Sequence, residues 1–287
     1  MIEEPPGRLD RSPYELVFTE DFPGPRLDAS RWVPHYLPQW TTPERSAARY
    51  EVRPGELRLR IEADQPAWRP EDGELRVSNV QTGSFSGPAG SDRGTHRHRP
   101  DLTVRTPQPT RRLFTPTSGL VEARLRAPAD PACMLAIWLV GLEADDPRDC
   151  GEICIAELYG SRIGPGGSSV TTGIKAHGDG RLRDDVAEVA LGFDATDWHT
   201  YAAAWTSERT AVYVDDALVR TVDQGTAYPL QLMIDLFEFP TGGGRDPAGY
   251  PKVGGVSAVR GYRLRRGGLP TTADAAASVP LTSAARR

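Results

Sequence analysis

Residues 55–64, GELRLRIEAD, set Leu57, Leu59 and Ile61 against Arg58, Arg60 and Glu62. A period of two predicts a strand with one dry face and one wet face. SGLVEARLRAP (118–128) alternates in the same way, and MLAIWLVGL (134–142) is apolar without interruption up to Gly141. Residues 199–222 read as a hairpin: Tyr201 to Trp205, a turn near Ser207-Glu208, then Val212 to Val214. Asp215-Asp216 supplies a further tight turn before Leu218 to Val222. YPLQLMIDLFEF (228–239) and VRGYRLRR (259–266) complete the set. No stretch carries an amphipathic helical pattern over more than two turns, and there is no βαβ rhythm. The fold predicted is all-β: two packed antiparallel sheets forming a sandwich. One domain is expected over residues 1–268. The tail 269–287 lacks aromatics and periodicity and is expected to be disordered.

Composition narrows the function. The chain has 287 residues, 38% hydrophobic and 25% charged, enough to bury a core. The 29 glycines and 26 prolines supply turns at the density a sandwich needs. A net charge of −5 argues against nucleic acid as partner. No apolar run approaches the roughly 18–20 residues that span a membrane. The start, MIEEPPGRLDRSP, has neither a basic n-region nor an apolar h-region. The expectation is a cytoplasmic protein as written, or a secreted one if a leader was removed. The three cysteines, 133, 150 and 154, are odd in number and form no C-x-x-C, so buried thiols are expected rather than disulfides or a metal site.

The stretch CGEICIAELYG (150–160) reads as a buried strand carrying two carboxylates, Glu152 and Glu157. Strict alternation puts Glu152 and Cys154 on one face and sends Glu157 to the other. A β-bulge around Ala156 would return Glu157 to the face of Glu152. Five residues of strand also span about 16 Å, so the sheet must curve to bring the two side chains together. At about 5–5.5 Å they would suit a retaining glycosidase, one carboxylate attacking the anomeric carbon and the other donating a proton. The spacing alone also fits two glutamates on a solvated strand.

The run resembles the E-[ILV]-D-x-x-E signature of glycoside hydrolase family 16, in the bulged form typical of laminarinase-like members. ELVFTEDFPGPRLDASRW (15–32), SGLVEARLRAP, AIWLVG and WHTYAAAWTSERTAVYVDDALV resemble further family segments, in the family's order. The resemblance implies a concanavalin-A-like β-sandwich (a jelly roll) with a concave substrate cleft. It assigns Glu152 as nucleophile and Glu157 as general acid/base. It implies no cofactor in the chemistry, and no metal there, although some relatives carry a structural calcium away from the cleft.

Two departures from the pattern stand out. The family's central Asp is Cys154, which belongs to the catalytic constellation by position. Beside two carboxylates it is expected to stay a neutral thiol, and no histidine pairs with it in sequence. Relatives often carry Trp-Pro before the signature; here the place reads DPRDCG.

The resemblance and strand parity together nominate substrate-binding residues. Trp138 matches the family's cleft-facing aromatic, a surface for stacking on a sugar, with a sandwich-core tryptophan as the alternative. Lys175 and His177 share a face, and the family often places a histidine there. Asp235 and Phe237 share another face, with Asp235 where relatives carry a polar cleft residue. Glu238 either sits in the cleft or pairs with an arginine. Residues 79–102 read as a long polar loop carrying Arg93, His96, Arg97 and His98. A metal-binding H-x-H is disfavoured because carboxylate partners are not evident nearby; a basic loop contacting sugar hydroxyls or acidic groups, with His96 as substrate contact, competes equally with a plain solvated loop. Trp40, in the loop LPQWTTPER, is a second stacking candidate.

The function expected is that of a retaining endo-β-glycosidase hydrolysing a β-1,3- or mixed-linked β-glucan, a monomer whose partner is a poly- or oligosaccharide. The alternatives are a carbohydrate-binding protein with little or no turnover, and a transglycosylase.

Overall fold

The computed structural model describes residues 7–240 and 245–265. The tail expected at 269–287 lies outside the described residues.

The architecture is an antiparallel β-sandwich. The larger sheet runs, edge to edge, Ala217–Val222, Thr210–Val214, His199–Trp205, Gly119–Arg126, Lys252–Leu264, Glu56–Ile61 and Arg49–Arg53, with Tyr14–Glu20 also paired to Lys252–Leu264. The six-stranded sheet runs Asp185–Leu191, Ser168–Lys175, Glu152–Tyr159, Cys133–Gly141, Leu230–Glu238 and Arg76–Gln81. Among the described residues the only α-helical segment is the single turn Pro43–Ser46. No described helix is long and apolar enough to cross a membrane.

The alternating residues do what their pattern requires. Leu57, Leu59 and Ile61 are fully buried and share one core with Leu135, Ile137 and Leu139 of the other sheet. Full burial of each such side chain contributes roughly 1.5–3 kcal/mol. The Asp215-Asp216 turn has both residues at positive φ, 47° and 67°, as a two-residue hairpin of the primed type needs.

The strand Cys133–Gly141 is buried on both sides, which explains its unbroken apolar run. Its odd-numbered residues face the sandwich core. Met134, Ala136, Trp138 and Val140 face the outside of the six-stranded sheet, where Tyr36, Leu37, Trp40 and Trp68 cover part of it.

The polar loop expected over 79–102 is shorter than its composition implies. Residues up to Gln81 belong to the strand Arg76–Gln81, and Gly83–Ser84 form a short strand. Their polar side chains are buried because each finds a partner: Asn79 Nδ2 donates to the His35 carbonyl at 2.6 Å, and Gln81 Nε2 to that of Gly83 at 2.7 Å.

Candidate active site

The strand Glu152–Tyr159 is bulged. On one side Trp138 pairs with Cys154 and Ile137 with Ala156, which leaves Ile155 without an opposite number. On the other side Gly173 pairs with Cys154 and Thr171 with Glu157, so the extra residue shows in both ladders. Ile153, Ile155, Ala156 and Leu158 all turn into the sandwich core. Glu152, Cys154 and Glu157 therefore share the outer face. One oxygen of each glutamate and the Cys154 sulfur lie within 4.8 Å of one another.

Lys175 stands in register opposite Glu152 on the neighbouring strand. Its Nζ lies 3.0 Å from Glu152 Oε1 and 2.6 Å from Glu157 Oε1, bridging the pair. His177 Nε2 reaches Glu152 Oε2 at 2.6 Å. The Tyr159 hydroxyl donates to Glu157 Oε2 at 3.3 Å. Both glutamates are buried, so these contacts operate with little solvent screening.

Charge in the site follows from this geometry. Burial would raise the Glu152 carboxyl, but the His177 hydrogen bond and the Lys175 ammonium outweigh it and bring it down to about 2. Burial would likewise lower Lys175; the Glu152 carboxylate leads the charges that reverse this and keep the ammonium. Burial, then the charges of Glu157 and Glu152, push the Cys154 thiol well above its ordinary value. It is a neutral thiol, pointing at the Thr171 carbonyl at 3.4 Å.

His96 arrives from the loop before the sheet. It has a left-handed backbone, φ 54°, and its amide donates to Glu143 Oε1 at 2.5 Å. Its ring meets Trp138 and His177 edge to face, at centroid distances of 5.4 and 4.7 Å. Burial, with the nearby His177, holds it down at about 3, so the imidazole is neutral. A cavity of about 400 Å³ opens beside these rings, lined by Arg93, His96, Arg97, His98, Cys150 and His177 among others. Below, Trp138 Nε1 donates to Asp235 Oδ2. Asp235 is fully buried, and burial raises its carboxyl well above the usual range, against the lowering effect of the Trp138 hydrogen bond.

Two carboxylates on a bulged strand, facing outward from a sandwich sheet, are what the resemblance called for. The model of glycosyl hydrolases family 16 matches residues 110–238, the stretch that contains both. That segment belongs to glycoside hydrolase family 16. The fold is similar to that of the GlcNAcα1-4Gal-releasing endo-β-galactosidase of Clostridium perfringens, at 24% identity and a TM-score of 0.73, over 91% of this chain and 65% of that one. This chain thus spans less than two thirds of that protein. It is also similar to the laminarinase of Flavobacterium sp. UMI-01, at 20% identity and a TM-score of 0.60, covering 87% of this chain and 100% of that one. The laminarinase of Rhodothermus marinus gives 21% identity and a TM-score of 0.61, over 88% and 98%. At such identities the likeness shows the fold. No curated protein matches the chain in sequence.

In this family 16 frame the nominated residues divide. Glu152, Cys154, Glu157, Lys175, His177 and His96 converge on one site. Asp235 lies under Trp138 rather than in the open cleft. Trp138 faces outward but is only 5% exposed, covered in part by His96, so it offers an edge rather than an open face for stacking. Phe237 is buried edge-on against Tyr36 and cannot line an open cleft. Trp40 is a core residue, not a loop platform: it is fully buried, and its Nε1 donates to the Thr95 carbonyl at 2.9 Å. A large aromatic in a polar loop satisfies its one polar atom and buries the rest. Glu238 pairs with Arg245 at 3.0 Å and with Tyr250, away from the site.

Sequence reasoning missed two contributors. Tyr159 was legible, two residues beyond Glu157 on the same strand face. Glu143 was not, because the amide it holds lies 47 positions away in the chain. Among the described residues, the two groups of three or more His, Cys, Asp or Glu side chains that could hold an ion both include Glu152.

Proposed function

We propose that this protein is a retaining endo-β-glycosidase acting on a β-glucan, β-1,3- or mixed-linked, through a covalent glycosyl-enzyme intermediate. The observation that carries this reading is the bulge at Ile155-Ala156, which brings Glu152 and Glu157 to one face with their nearest oxygens within 4.8 Å. Retention requires two carboxyl groups close enough for one to attack directly, with no water held between it and the sugar. Glu152, ionised and fixed by His177 and Lys175, suits the nucleophile. Glu157, with the Tyr159 hydroxyl and Lys175 ammonium as neighbours, suits the group that protonates the leaving oxygen and then activates water. The laminarinase-like form of the signature supports a glucan, with a galactose-containing glycan as the competing substrate given the likeness to an endo-β-galactosidase.

A second reading has an observation in its favour. Lys175 Nζ donates to Glu157 Oε1 at 2.6 Å and so occupies an oxygen that acid catalysis would need to turn toward the sugar. A carbohydrate-binding protein with little turnover would tolerate that contact. A glycosidase must displace it when the sugar binds.

Laminarin and a mixed-linkage glucan, incubated with the protein and with Glu152→Gln, decide between the two by reducing-end release and product analysis. Release that the substitution abolishes supports hydrolysis, and longer products from added acceptor sugar would mark transglycosylation. Saturable binding by calorimetry with no release on either glycan sinks the enzyme and leaves the binding protein.

A further inference from the structure

The carboxylates nearest the H-x-H at 96–98 in sequence, Asp92 and Asp101, pair with Arg97 and Arg99, yet the fold supplies another. A nitrogen of His96, a nitrogen of His177 and an oxygen of Glu152 lie within 4.8 Å of one another. We propose that these three residues form a binding site for a transition-metal dication of the zinc, cobalt or nickel class. Two imidazoles and one carboxylate, with a position left for water, is a donor set such ions accept.

Several features beyond proximity point the same way. His96 Nδ1 is buried without a hydrogen-bond partner in the protein, an unused polar atom inside a polar site. Both histidines are held in left-handed backbone conformations, φ 54° and 49°, which cost energy and persist where the surroundings impose them. The His96 amide is pinned by Glu143, so its ring is placed before any ligand arrives. The adjoining cavity of about 400 Å³ gives an entry path past His96 and His177.

Lys175 is the group that opposes a cation here, and the geometry separates the two. Lys175 contacts Glu152 Oε1, while His177 contacts Oε2. An ion taking Oε2 therefore leaves the lysine contact in place, but replaces the His177–Glu152 hydrogen bond, whose proton passes to the other ring nitrogen or to solvent. It also occupies an oxygen of the proposed nucleophile. Resting on the glycosidase reading, this makes the ion an inhibitor that competes with the sugar; the binding itself does not depend on that reading.

The test is titration of untagged, chelator-stripped protein with zinc by calorimetry, beside cobalt followed by its visible ligand-field bands. One ion per chain is expected. His96→Ala and His177→Ala should each weaken binding by at least about tenfold, and the cobalt bands should fade with them. His98→Ala, whose ring instead faces Asp72 at 3.3 Å, should bind as the wild type does. No saturable binding, or equal affinity in the two ligand variants with folding verified by circular dichroism, would overturn the site. So would calcium or magnesium binding as tightly as zinc. Zinc binding that depends on both histidines, in a protein with no glycan turnover, would uphold the site and remove only the glycosidase reading.

Discussion

The Lys175 ammonium lies 2.6 Å from Glu157 and, through the same atom, 3.0 Å from Glu152. The buried pair thus meets a cation from the neighbouring strand, while the position between them on their own strand holds the Cys154 thiol. Lys175 is among the charges that bring Glu152 down to about 2. Removing it raises that carboxyl, so Lys175→Met should move the acid limb of kcat/KM to higher pH by about one unit or more. The pH–rate profile on the cleaved glycan, recorded with a chelator present, checks this. An unmoved acid limb would show that His177 alone sets the ionisation of Glu152.

Glu143 gives a prediction of opposite sign. Burial, only partly offset by the His96 amide, pushes it up to about 8 from an ordinary 4.5. A carboxyl raised by folding binds its proton more tightly in the fold. Its contribution is therefore full below about pH 4.5 and is lost as pH rises to about 8. Glu143→Gln keeps an acceptor for the His96 amide and removes the titration. Wild type should lose stability relative to this variant across that window, on the order of a few kcal/mol. Urea midpoints at a series of pH values measure it.

The three cysteines should differ in reactivity. Cys133 and Cys154 are buried and Cys150 is half-buried. Burial raises all three thiols, Cys150 to about 11. Iodoacetamide near neutral pH should label the native protein slowly and at Cys150 alone, and all three cysteines after unfolding. Mass spectrometry reads the count. Rapid native labelling of Cys154 would mean that the site opens.

Gly173 faces Cys154 across the ladder at φ 142°. A Cβ there would lie 2.0 Å from the Asp185 carbonyl oxygen. Gly173→Ala should therefore destabilise the fold by roughly 3 kcal/mol and, by shifting Lys175 two residues on, reduce turnover. Denaturant unfolding and activity on the same preparation test the coupling.

Much of this molecule is written in local pattern. Alternation at Leu57, Leu59 and Ile61 specifies a strand because side chains on a pleated chain point alternately to two faces. The two aspartates at 215 and 216 specify a tight turn for an equally local reason. Glu152 and Glu157, close in the chain, announced a pair and the bulge that would be needed to align it. The tertiary structure decided what no local pattern encodes. Trp40 looked like an exposed aromatic until Thr95 took its N–H and the sheet took its ring. His96 carried no sign of Glu152, His177 or Glu143, and meets them only because antiparallel pairing sets its loop against the ends of two strands. Such contacts are selected by the packing of the whole sheet, and a window of a few residues holds no record of which distant segment will lie against it.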